Sequence, residues 1–232
     1  MVDARRVWLI RHGESESNAG LPTNGPGAAP LTPLGREQAA LAAAAFAEPP
    51  ELIVSSTFVR ARQTAEDTVA RFPATPYEEW PVQEFTYLGR LHAPRTTNAQ
   101  RQPDITAYWE RMDPEYRHGG DGESYVALIA RVHALLDRLA ALPGDGLVAV
   151  FTHGLFMKAV IWTLAMGREA APDVAQMRAF RRFVGSCDVP NCSITELWRP
   201  HGPYGFRLVG GGTTHLAGAS RPLESGSPAS LD

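Results

Sequence analysis

The sequence is almost without lysine: of its 22 basic side chains only Lys158 is a lysine, and all the others are arginines. The sequence therefore argues against a lysine nucleophile, a phosphate-loop lysine and a lysine-rich surface for nucleic acids. Guanidinium groups are planar, permanently charged and able to make paired hydrogen bonds, so they suit the recognition of phosphate or carboxylate better than general-base chemistry. The composition thus favours anion binding without yet indicating a site.

Other scarce features narrow the function classes. The formal net charge is only −3 and the arginines are scattered, whereas a nucleic-acid binder needs a concentrated positive face. No apolar run approaches the roughly 18 to 20 residues of a membrane span, and residues 1–6 lack the apolar stretch of a signal peptide. We therefore expect no nucleic-acid partner, no membrane insertion and a cytoplasmic location.

Cysteine is scarce as well. Cys187 and Cys192 are too few for a disulfide framework in a chain of 232 residues, so the sequence favours reduced thiols. No further ligands stand at a spacing suited to zinc, and no pair of the seven histidines has the i, i+4 spacing of a helical zinc motif. We expect neither a metal nor a cofactor.

The length and the 44% hydrophobic content fit one large domain with a substantial core. Residues 85–122 mix prolines, glycines, aromatic and charged residues without a sustained period, which predicts a helical or irregular insertion that forms a lid over the site. Residues 210–232 are rich in glycine, serine and proline. We therefore predict a single domain over residues 1–209, followed by a flexible C-terminal tail.

Short apolar runs alternate with helical patterns along the chain. Runs at residues 7–10, 52–54 and 147–151 predict buried parallel strands, and two later runs, at 194–198 and 206–209, predict a hairpin at the sheet edge. Helices are predicted at residues 32–47, 58–72, 124–142 and 154–166. This alternation predicts an α/β fold with a mostly parallel central sheet and helices on both faces.

Two of the predicted strands end in the same way. The first is followed by Arg11 and His12, the third by His153, and a glycine comes directly after each histidine. In an open α/β sheet, ligand sites form at the carboxyl ends of the strands. We therefore expect both histidines at one site.

A further element follows the second strand. Residues 55–65 open a helix and contain Arg60 and Arg62, and free N–H groups with the helix dipole favour an anion at such a position. Arg60 is thus well placed for a phosphate, while Arg62 is equally consistent with a solvent-exposed helix face. Glu84 adds a carboxylate further along the chain, after this helix. Glu14, two residues after His12, is the other carboxylate that could serve as an acid, but its position in a loop that leads into a helix favours structural hydrogen bonding.

Together these elements resemble the histidine phosphatase superfamily, also called the phosphoglycerate-mutase-like family. The resemblance covers about residues 7–164 and rests on Arg-His-Gly-Glu-Ser at 11–15, Arg-Ala at 60–61, Gly-Glu-Ser at 122–124 and His-Gly at 153–154. It implies a phosphomonoesterase of the histidine acid phosphatase type that needs no metal. Its ligands would be a small phosphomonoester and inorganic phosphate, and because the family includes monomers, dimers and tetramers, a homo-oligomer stays open.

The resemblance also implies residue roles. His12 is the nucleophile that becomes transiently phosphorylated, and Glu84 is the general acid and base. The phosphoryl oxygens are bound by Arg11, Asn18, Arg60 and His153. Charge develops on these oxygens in the transition state, so fixed cationic donors supply most of the catalysis. The nucleophile must offer one unprotonated nitrogen while the other holds its proton against an acceptor, for which we expect a backbone carbonyl.

Mutase-type phosphoryl transfer is the first alternative. Glycolytic mutases carry Thr-Gly-Trp after the first motif, where this chain has Thr-Asn-Gly-Pro-Gly at 23–27, and their lids hold the substrate carboxylate with lysine and paired arginines. Here the predicted lid has no lysine and its arginines are dispersed, although Tyr87 matches a mutase-like substrate-binding position. We therefore favour hydrolysis.

A non-catalytic phospho-ligand binding module is the second alternative. The intact motif residues speak against it, because degenerate family members usually lose one of them.

Some roles stay open at this point. Glu123 either orients the site or simply precedes Ser124, which is a candidate N-cap of the next helix. The roles of Arg62 and of the lid arginines are also open; the latter are Arg90, Arg95, Arg101, Arg111 and Arg117.

Overall fold

The computed structural model describes residues 4–89, 95–200 and 205–217. The strands are β1 (Ala4–Arg11), β2 (Leu52–Ser56), β3 (Tyr77–Trp80), β4 (Leu147–Thr152), β5 (Ile194–Pro200) and β6 (Arg207–Gly212). The helices are α1 (Pro33–Ala44), α2 (Val59–Arg71), α3 (Asn98–Arg111), α4 (Tyr125–Ala141), α5 (Gly154–Met166) and α6 (Val174–Ser186).

One six-stranded sheet forms the centre of the fold, in the order β3-β2-β4-β1-β5-β6. The first four strands in this order run parallel, while β5 is antiparallel to β1 and β6 is antiparallel to β5. The predicted α/β fold with a mostly parallel sheet and an edge hairpin is therefore confirmed. Because β1, β2 and β4 are neighbours, their carboxyl ends meet at one edge of the sheet.

Apolar residues on both faces of the sheet explain why it is covered on both sides. In β1, Val7 and Leu9 belong to the larger core cluster, whereas Ile10 belongs to a second cluster with Phe46 on the opposite face. Successive side chains of a strand point to opposite faces, so the near-continuous apolar run of β1 supplies both clusters. The run at residues 52–54 does the same in β2.

Capping residues fix where the helices begin. The Thr32 hydroxyl accepts a hydrogen bond from the Gly35 N–H at 3.1 Å, with a proline in the first turn, as predicted for α1. The Ser124 hydroxyl accepts from the Ala127 N–H at 3.2 Å at the start of α4. Ser124 is thus an N-cap, one of the two interpretations of this motif.

Three elements are not foreseen by the apolar patterns. The edge strand β3 is largely polar and exposed on three of its four residues, α3 contains Pro103, and α6 is arginine-rich with only Met177 and Phe180 buried. Such segments bury too few apolar side chains for their period to stand out. Within the described part of the predicted lid, α3 is an α-helix and His118–Gly120 form a short 3₁₀ helix.

The predicted C-terminal tail starts too early. β6 continues to Gly212, pairing with β5 through backbone hydrogen bonds that need no side chains, and Leu216 is buried at 2% exposure in the second core cluster. Residues 210–217 therefore pack with the domain. The rest of the predicted tail, residues 218–232, lies outside the described residues, so its flexibility stays a prediction.

Two further expectations concern membranes and thiols. Within residues 4–89, 95–200 and 205–217, none of the helices combines the length and the apolar character that crossing a bilayer requires. Cys187 and Cys192 are both free, and Cys192 is buried.

Candidate active site

A cavity of about 700 Å³ opens where β1 and its parallel neighbours end, beneath the lid. Its walls combine charged, amide and hydroxyl groups with apolar lid residues. They include Arg11, His12, Ser15, Asn18, Arg60, Glu84, Tyr87, Leu88, Asn98, Arg101 and Ile105. Five of the six residues to which the resemblance assigns a role therefore line one cavity together with Tyr87, and the sixth is His153.

His12 sits directly after β1 and is held from several sides. Its backbone N–H donates to the Thr152 carbonyl at 2.9 Å, which ties it to the end of β4. Its ring Nδ1 lies 2.7 Å from the Gly13 carbonyl, so Nδ1 carries the proton and donates it there. Nε2 is then the unprotonated nitrogen, and it accepts a hydrogen bond from Arg60 Nε at 3.0 Å.

The surroundings of His12 favour the neutral imidazole. Burial lowers its pKa well below the usual value of 6.5, and the positive charges of Arg60 and Arg11 lower it further. The hydrogen bond to the Gly13 carbonyl opposes this shift without outweighing it. A neutral ring with its lone pair on Nε2 is the form that attacks an electrophile.

Gly13 is required by close packing at this turn. A Cβ at this position would collide with the carbonyl oxygen of Gly35, at the start of α1. The Gly13 N–H also donates to Thr64 Oγ1 at 3.0 Å, and Thr64 in turn donates to the Arg60 carbonyl at 2.6 Å. The loop after β1 is thereby fixed to both α1 and α2.

Two buried guanidinium groups flank the nucleophile. Arg11 donates from Nη1 to the Val189 carbonyl at 2.6 Å, and its Nε is buried without a partner among the described residues. Arg60, 7% exposed, donates from Nη1 to the Pro26 carbonyl at 2.6 Å. Burial lowers the pKa of Arg60 to about 10, so it remains charged at neutral pH. Neither arginine has a carboxylate at ion-pair distance within the described parts of the chain.

His153 follows β4 and lies behind the cavity wall, with its ring centroid 5.0 Å from that of His12. Its Nε2 is 2.8 Å from Ser56 Oγ, and this hydroxyl already accepts the Phe58 N–H at 3.2 Å. Ser56 is able to donate its own proton to Nε2, which would place the proton of the imidazole on Nδ1. Nδ1 itself is buried and has no hydrogen-bond partner among the described residues. Burial and the nearby cations lower the pKa of His153 well below 6.5.

Glu84 lies in the cavity wall at the N-terminus of α5. Its Oε1 accepts the N–H groups of Phe85 at 3.0 Å and Phe156 at 3.1 Å, and its Oε2 accepts that of Leu155 at 3.3 Å. A carboxylate at a helix N-terminus satisfies N–H groups that lack an intrahelical partner. Glu84 and His12 line the same cavity.

Asn18 and Tyr87 both line the cavity. The Asn18 side-chain oxygen accepts from Ser15 N at 3.1 Å, Ser15 Oγ at 2.9 Å and Asn191 Nδ2 at 3.3 Å. Because the oxygen is engaged in this way, the amide NH₂ is left to donate to a ligand. Tyr87 packs against Tyr108, with ring centroids 4.7 Å apart, and burial raises its pKa to about 12.

Comparison with known proteins decides the family. The family model of the histidine phosphatase superfamily (branch 1) matches residues 7–204. This chain belongs to that superfamily. A probable phosphoglycerate mutase GpmB of Photorhabdus laumondii is 27% identical over 224 residues, which cover 95% of each chain.

Solved structures of histidine phosphatases have the same fold. A mycobacterial glucosyl-3-phosphoglycerate phosphatase is 28% identical with a TM-score of 0.65, over 89% of this chain and 98% of that one. A phosphoserine phosphatase of Entamoeba histolytica is 21% identical with a TM-score of 0.68, over 91% and 99% of the two chains. At the lower identity the likeness concerns the fold alone.

Several other residues that the sequence analysis names as possible site residues do not line the cavity. Arg62 is 45% exposed and lies 3.6 Å from a Glu79 oxygen on the outer surface. The Glu14 carboxylate accepts the Thr32 hydroxyl at 2.7 Å, a structural bond. Among the lid arginines, Arg111 stacks on an aromatic ring, Arg95 and Arg117 are exposed, and Arg90 lies outside the described residues, as do His92 and His201.

Sequence reasoning missed Ser56 and Asn191 and left the role of Arg101 open. Arg101 lies in the cavity wall with 4% exposure, donates from Nη1 to the Thr96 carbonyl at 2.7 Å, and has a buried Nε without a partner. Ser56 and Asn191 orient His153 and Asn18. For Arg101 the only signal was its place in the first turns of a helix with a Thr-x-x-Gln capping box.

In the described ranges, no group of three or more His, Cys, Asp or Glu side chains is arranged to hold a metal ion. The positive charges next to His12 come from arginines instead.

Proposed function

We propose that this histidine phosphatase superfamily member is a phosphomonoesterase that works through a phosphohistidine on His12, with Glu84 as general acid and base. The observation that carries the proposal is the state of His12. Its imidazole is buried and neutral, its Nδ1 proton is held by the Gly13 carbonyl, and its Nε2 accepts a hydrogen bond from Arg60, while Arg11 lines the same cavity.

In the first step, Nε2 of His12 attacks phosphorus as the bond to the ester oxygen breaks. The hydrogen bond from Arg60 Nε to Nε2 must be exchanged for one to a phosphoryl oxygen as substrate enters, because the lone pair is needed for attack. Arg11, Arg60 and the Asn18 amide donate to the phosphoryl oxygens, whose charge is spread over the equatorial positions. Glu84 delivers its proton to the leaving alkoxide.

In the second step, water replaces the departed alcohol. Glu84, now ionised, takes a proton from this water as its oxygen attacks the phosphohistidine, and inorganic phosphate leaves with Nε2 again unprotonated. His153 supports both steps if its Nδ1–H donates to the same phosphoryl group. The guanidinium groups neutralise the developing charge, so the proposal requires no metal ion.

The similar solved structures favour hydrolysis over transfer between hydroxyl groups. The mycobacterial glucosyl-3-phosphoglycerate phosphatase has been solved in complex with VO₃ and, in another structure, with inorganic phosphate. These two structures align with this chain at 28% and 27% identity. VO₃ resembles a phosphoryl group in shape, and inorganic phosphate contains one. The cavity volume of about 700 Å³ lies within the range for small-molecule sites, roughly 300 to 1,000 Å³. We infer a phosphomonoester considerably larger than phosphate itself.

Mutase activity is the second candidate, and the name of the curated relatives favours it. Arg101 in the cavity wall also weakens the expectation that the lid arginines are all dispersed. Interconversion of phosphoglycerates with and without a bisphosphate activator distinguishes the two activities. Activator-dependent interconversion that exceeds hydrolysis would reverse our ranking.

The decisive test is hydrolysis of p-nitrophenyl phosphate in the presence of EDTA, with His12→Ala as the comparison. We expect turnover by the unmodified protein, its loss in the variant, and an acid-labile phosphate on the protein after rapid quenching. Tight phosphate binding without turnover would instead identify a binding module and refute the proposal.

The role of Glu84 is tested by Glu84→Gln. General acid catalysis is worth roughly 10²- to 10⁴-fold where the leaving group needs a proton. We therefore expect a much larger loss on β-glycerophosphate, an alkyl ester, than on p-nitrophenyl phosphate. Equal losses on the two esters would contradict the assignment.

A further inference from the structure

The segment that carries Glu84 has no regular secondary structure. Residues 82–86 follow β3 without helix or strand, so no ladder of backbone hydrogen bonds sets the position of the carboxyl group. A general acid must nevertheless lie within hydrogen-bond reach of the leaving oxygen. Side chains from other elements must hold it: the Thr152 hydroxyl donates to the Val82 carbonyl at 2.6 Å, and a second contact holds the residues directly around Glu84.

Arg131, on α4, makes that contact. Its Nη1 donates to the carbonyl of Pro81 at 3.1 Å and to the carbonyl of Gln83 at 2.9 Å. Gln83 directly precedes Glu84. One nitrogen of one guanidinium group therefore holds the backbone on the N-terminal side of the carboxyl group.

The rest of the same guanidinium group is bound to Glu123. Arg131 Nε donates to Glu123 Oε1 at 2.6 Å and Nη2 donates to Oε2 at 2.8 Å, a paired geometry that fixes the plane of the guanidinium. Both side chains are largely buried, at 16% and 12% exposure. Paired hydrogen bonds with little solvent exposure are more rigid than a surface ion pair.

Glu123 holds the other side of the segment. Its Oε2 accepts the Thr86 N–H at 3.3 Å, and its own backbone N–H donates to the Thr86 carbonyl at 3.1 Å. Thr86 follows Glu84 by two residues. The backbone is thus held on both sides of the acid, at residues 81 and 83 by Arg131 and at residue 86 by Glu123.

The same guanidinium group also contacts the helix that receives the Glu84 carboxylate. Its central carbon lies 4.9 Å from the centroid of the Phe156 ring, and the Phe156 N–H donates to Glu84 Oε1 at 3.1 Å. Arg131 therefore touches both the segment that bears the acid and the start of α5.

We propose that Arg131 is a positioning residue for the general acid, acting through Glu123 and the carbonyls of Pro81 and Gln83 to hold the Glu84 carboxyl group at the leaving-group oxygen. The inference rests on the proposed function. It assigns no contact with substrate to Arg131; the effect runs through the position of Glu84.

The test compares Arg131→Met with Arg138→Met. Arg138 is on the same helix, pairs with Glu78 at 2.8 Å and stacks on the Trp80 ring at 4.0 Å. It resembles Arg131 in its interactions but does not hold the segment around Glu84. The measurement is the ratio of kcat/KM for p-nitrophenyl phosphate to that for β-glycerophosphate, because only the alkyl ester depends strongly on a proton donor.

We expect Arg131→Met to raise this ratio about tenfold, since a displacement of about 1 Å at a reacting group costs up to roughly 100-fold. Glu123→Gln, which keeps the shape but removes the charge of the partner, should raise the ratio in the same direction if Arg131→Met folds poorly. Arg138→Met should leave it unchanged within about twofold. In a Glu84→Gln background, Arg131→Met should add little to the ratio, because contacting groups that act through one step are not additive.

The outcomes separate the inference from the proposed function. Equal losses on both esters in Arg131→Met and Glu123→Gln, with Glu84→Gln still selective for the alkyl ester, would overturn the role of Arg131 alone. An unselective Glu84→Gln would refute the acid assignment and the inference with it. A raised ratio that persists undiminished in the Glu84→Gln background would also overturn it, since Arg131 would then act elsewhere.

Discussion

The buried imidazoles of His12 and His153 make the stability of this protein depend on pH in a defined direction. Both are almost fully buried, at 3% and 0% exposure, and burial together with the neighbouring arginines lowers both pKa values well below 6.5. In the unfolded chain the same groups titrate near their usual pKa. Below pH 6.5 the unfolded state therefore binds more protons than the folded state, and the free energy of unfolding falls as the pH falls.

The magnitude follows from the two rings remaining neutral in the folded protein. At pH 5.5, one unit below the ordinary histidine pKa, each ring that stays neutral costs about 1.4 kcal/mol relative to neutral pH. His12 and His153 together should lower the free energy of unfolding by about 3 kcal/mol between pH 7.5 and pH 5.5. Above pH 7 their contribution is constant.

The assay is urea unfolding at the two pH values, compared between the unmodified protein and a His12→Gln, His153→Gln double variant. Other groups titrate in this range too; burial lowers the pKa of His215, for example. The comparison removes their contribution, because they are present in both proteins. A fall in the free energy of unfolding that is the same size in both would refute the reasoning, since the two imidazoles would then titrate alike in the folded and unfolded states.

The remaining predictions concern single substitutions. Ser56→Ala removes the hydroxyl that contacts Nε2 of His153 and should lower kcat about tenfold. Ser55→Ala, one residue away with its hydroxyl turned elsewhere, is the control, and equal effects on kcat would contradict this role. Arg101→Met should raise KM for phosphomonoesters that carry a carboxylate and leave KM for p-nitrophenyl phosphate unchanged; uniform changes would indicate a structural role in the lid. Gly13→Ala forces a methyl group against the Gly35 carbonyl and should destabilise the fold by about 1 to 3 kcal/mol, measured by thermal unfolding; an unchanged melting temperature would show that the turn tolerates a side chain.

The convergence of His12 and His153 could be predicted from the sequence. Histidines that follow β1 and β4 lie at the same sheet edge because parallel strands end together, and these two strands are neighbours with Arg11 paired to Thr152. The two imidazoles that come next are 5.0 Å apart as a result. The expectation needed only the apolar runs and the residues directly after them.

The sequence leaves the role of Arg62 open, and helix geometry explains its position once Arg60 faces the site. Residues two apart on a helix face in nearly opposite directions, so only one of them can point at the end of β1. Arg60 reaches His12, and Arg62 turns to Glu79 on the outer surface. Helical period alone does not say which of the two is inside; the buried neighbours Ala61 and Thr64 do.

The contacts of the lid and of α4 could not be predicted in this way. Arg101 and Arg117 are both arginines of an insertion with no sustained period, yet one is buried in the cavity wall and the other is exposed. Arg131 meets the segment around Glu84 only through the packing of α4 beside it. Such contacts join residues far apart in the chain, and no local pattern in the sequence encodes them.

The scarcity of lysine has a physical counterpart in how the arginines of this site are held. Arg11, Arg60 and Arg101 each donate from Nη1 to a backbone carbonyl, at 2.6 to 2.7 Å. A guanidinium group has further N–H groups in a rigid plane, so this anchor fixes their directions, and those that make no other bond within the protein are left for another acceptor. A lysine ammonium group rotates about its terminal C–N bond. One hydrogen bond to a backbone carbonyl would therefore fix the directions of its other two protons less well. The preference for arginine therefore matches a site in which cationic donors must already be oriented before a phosphoryl group arrives.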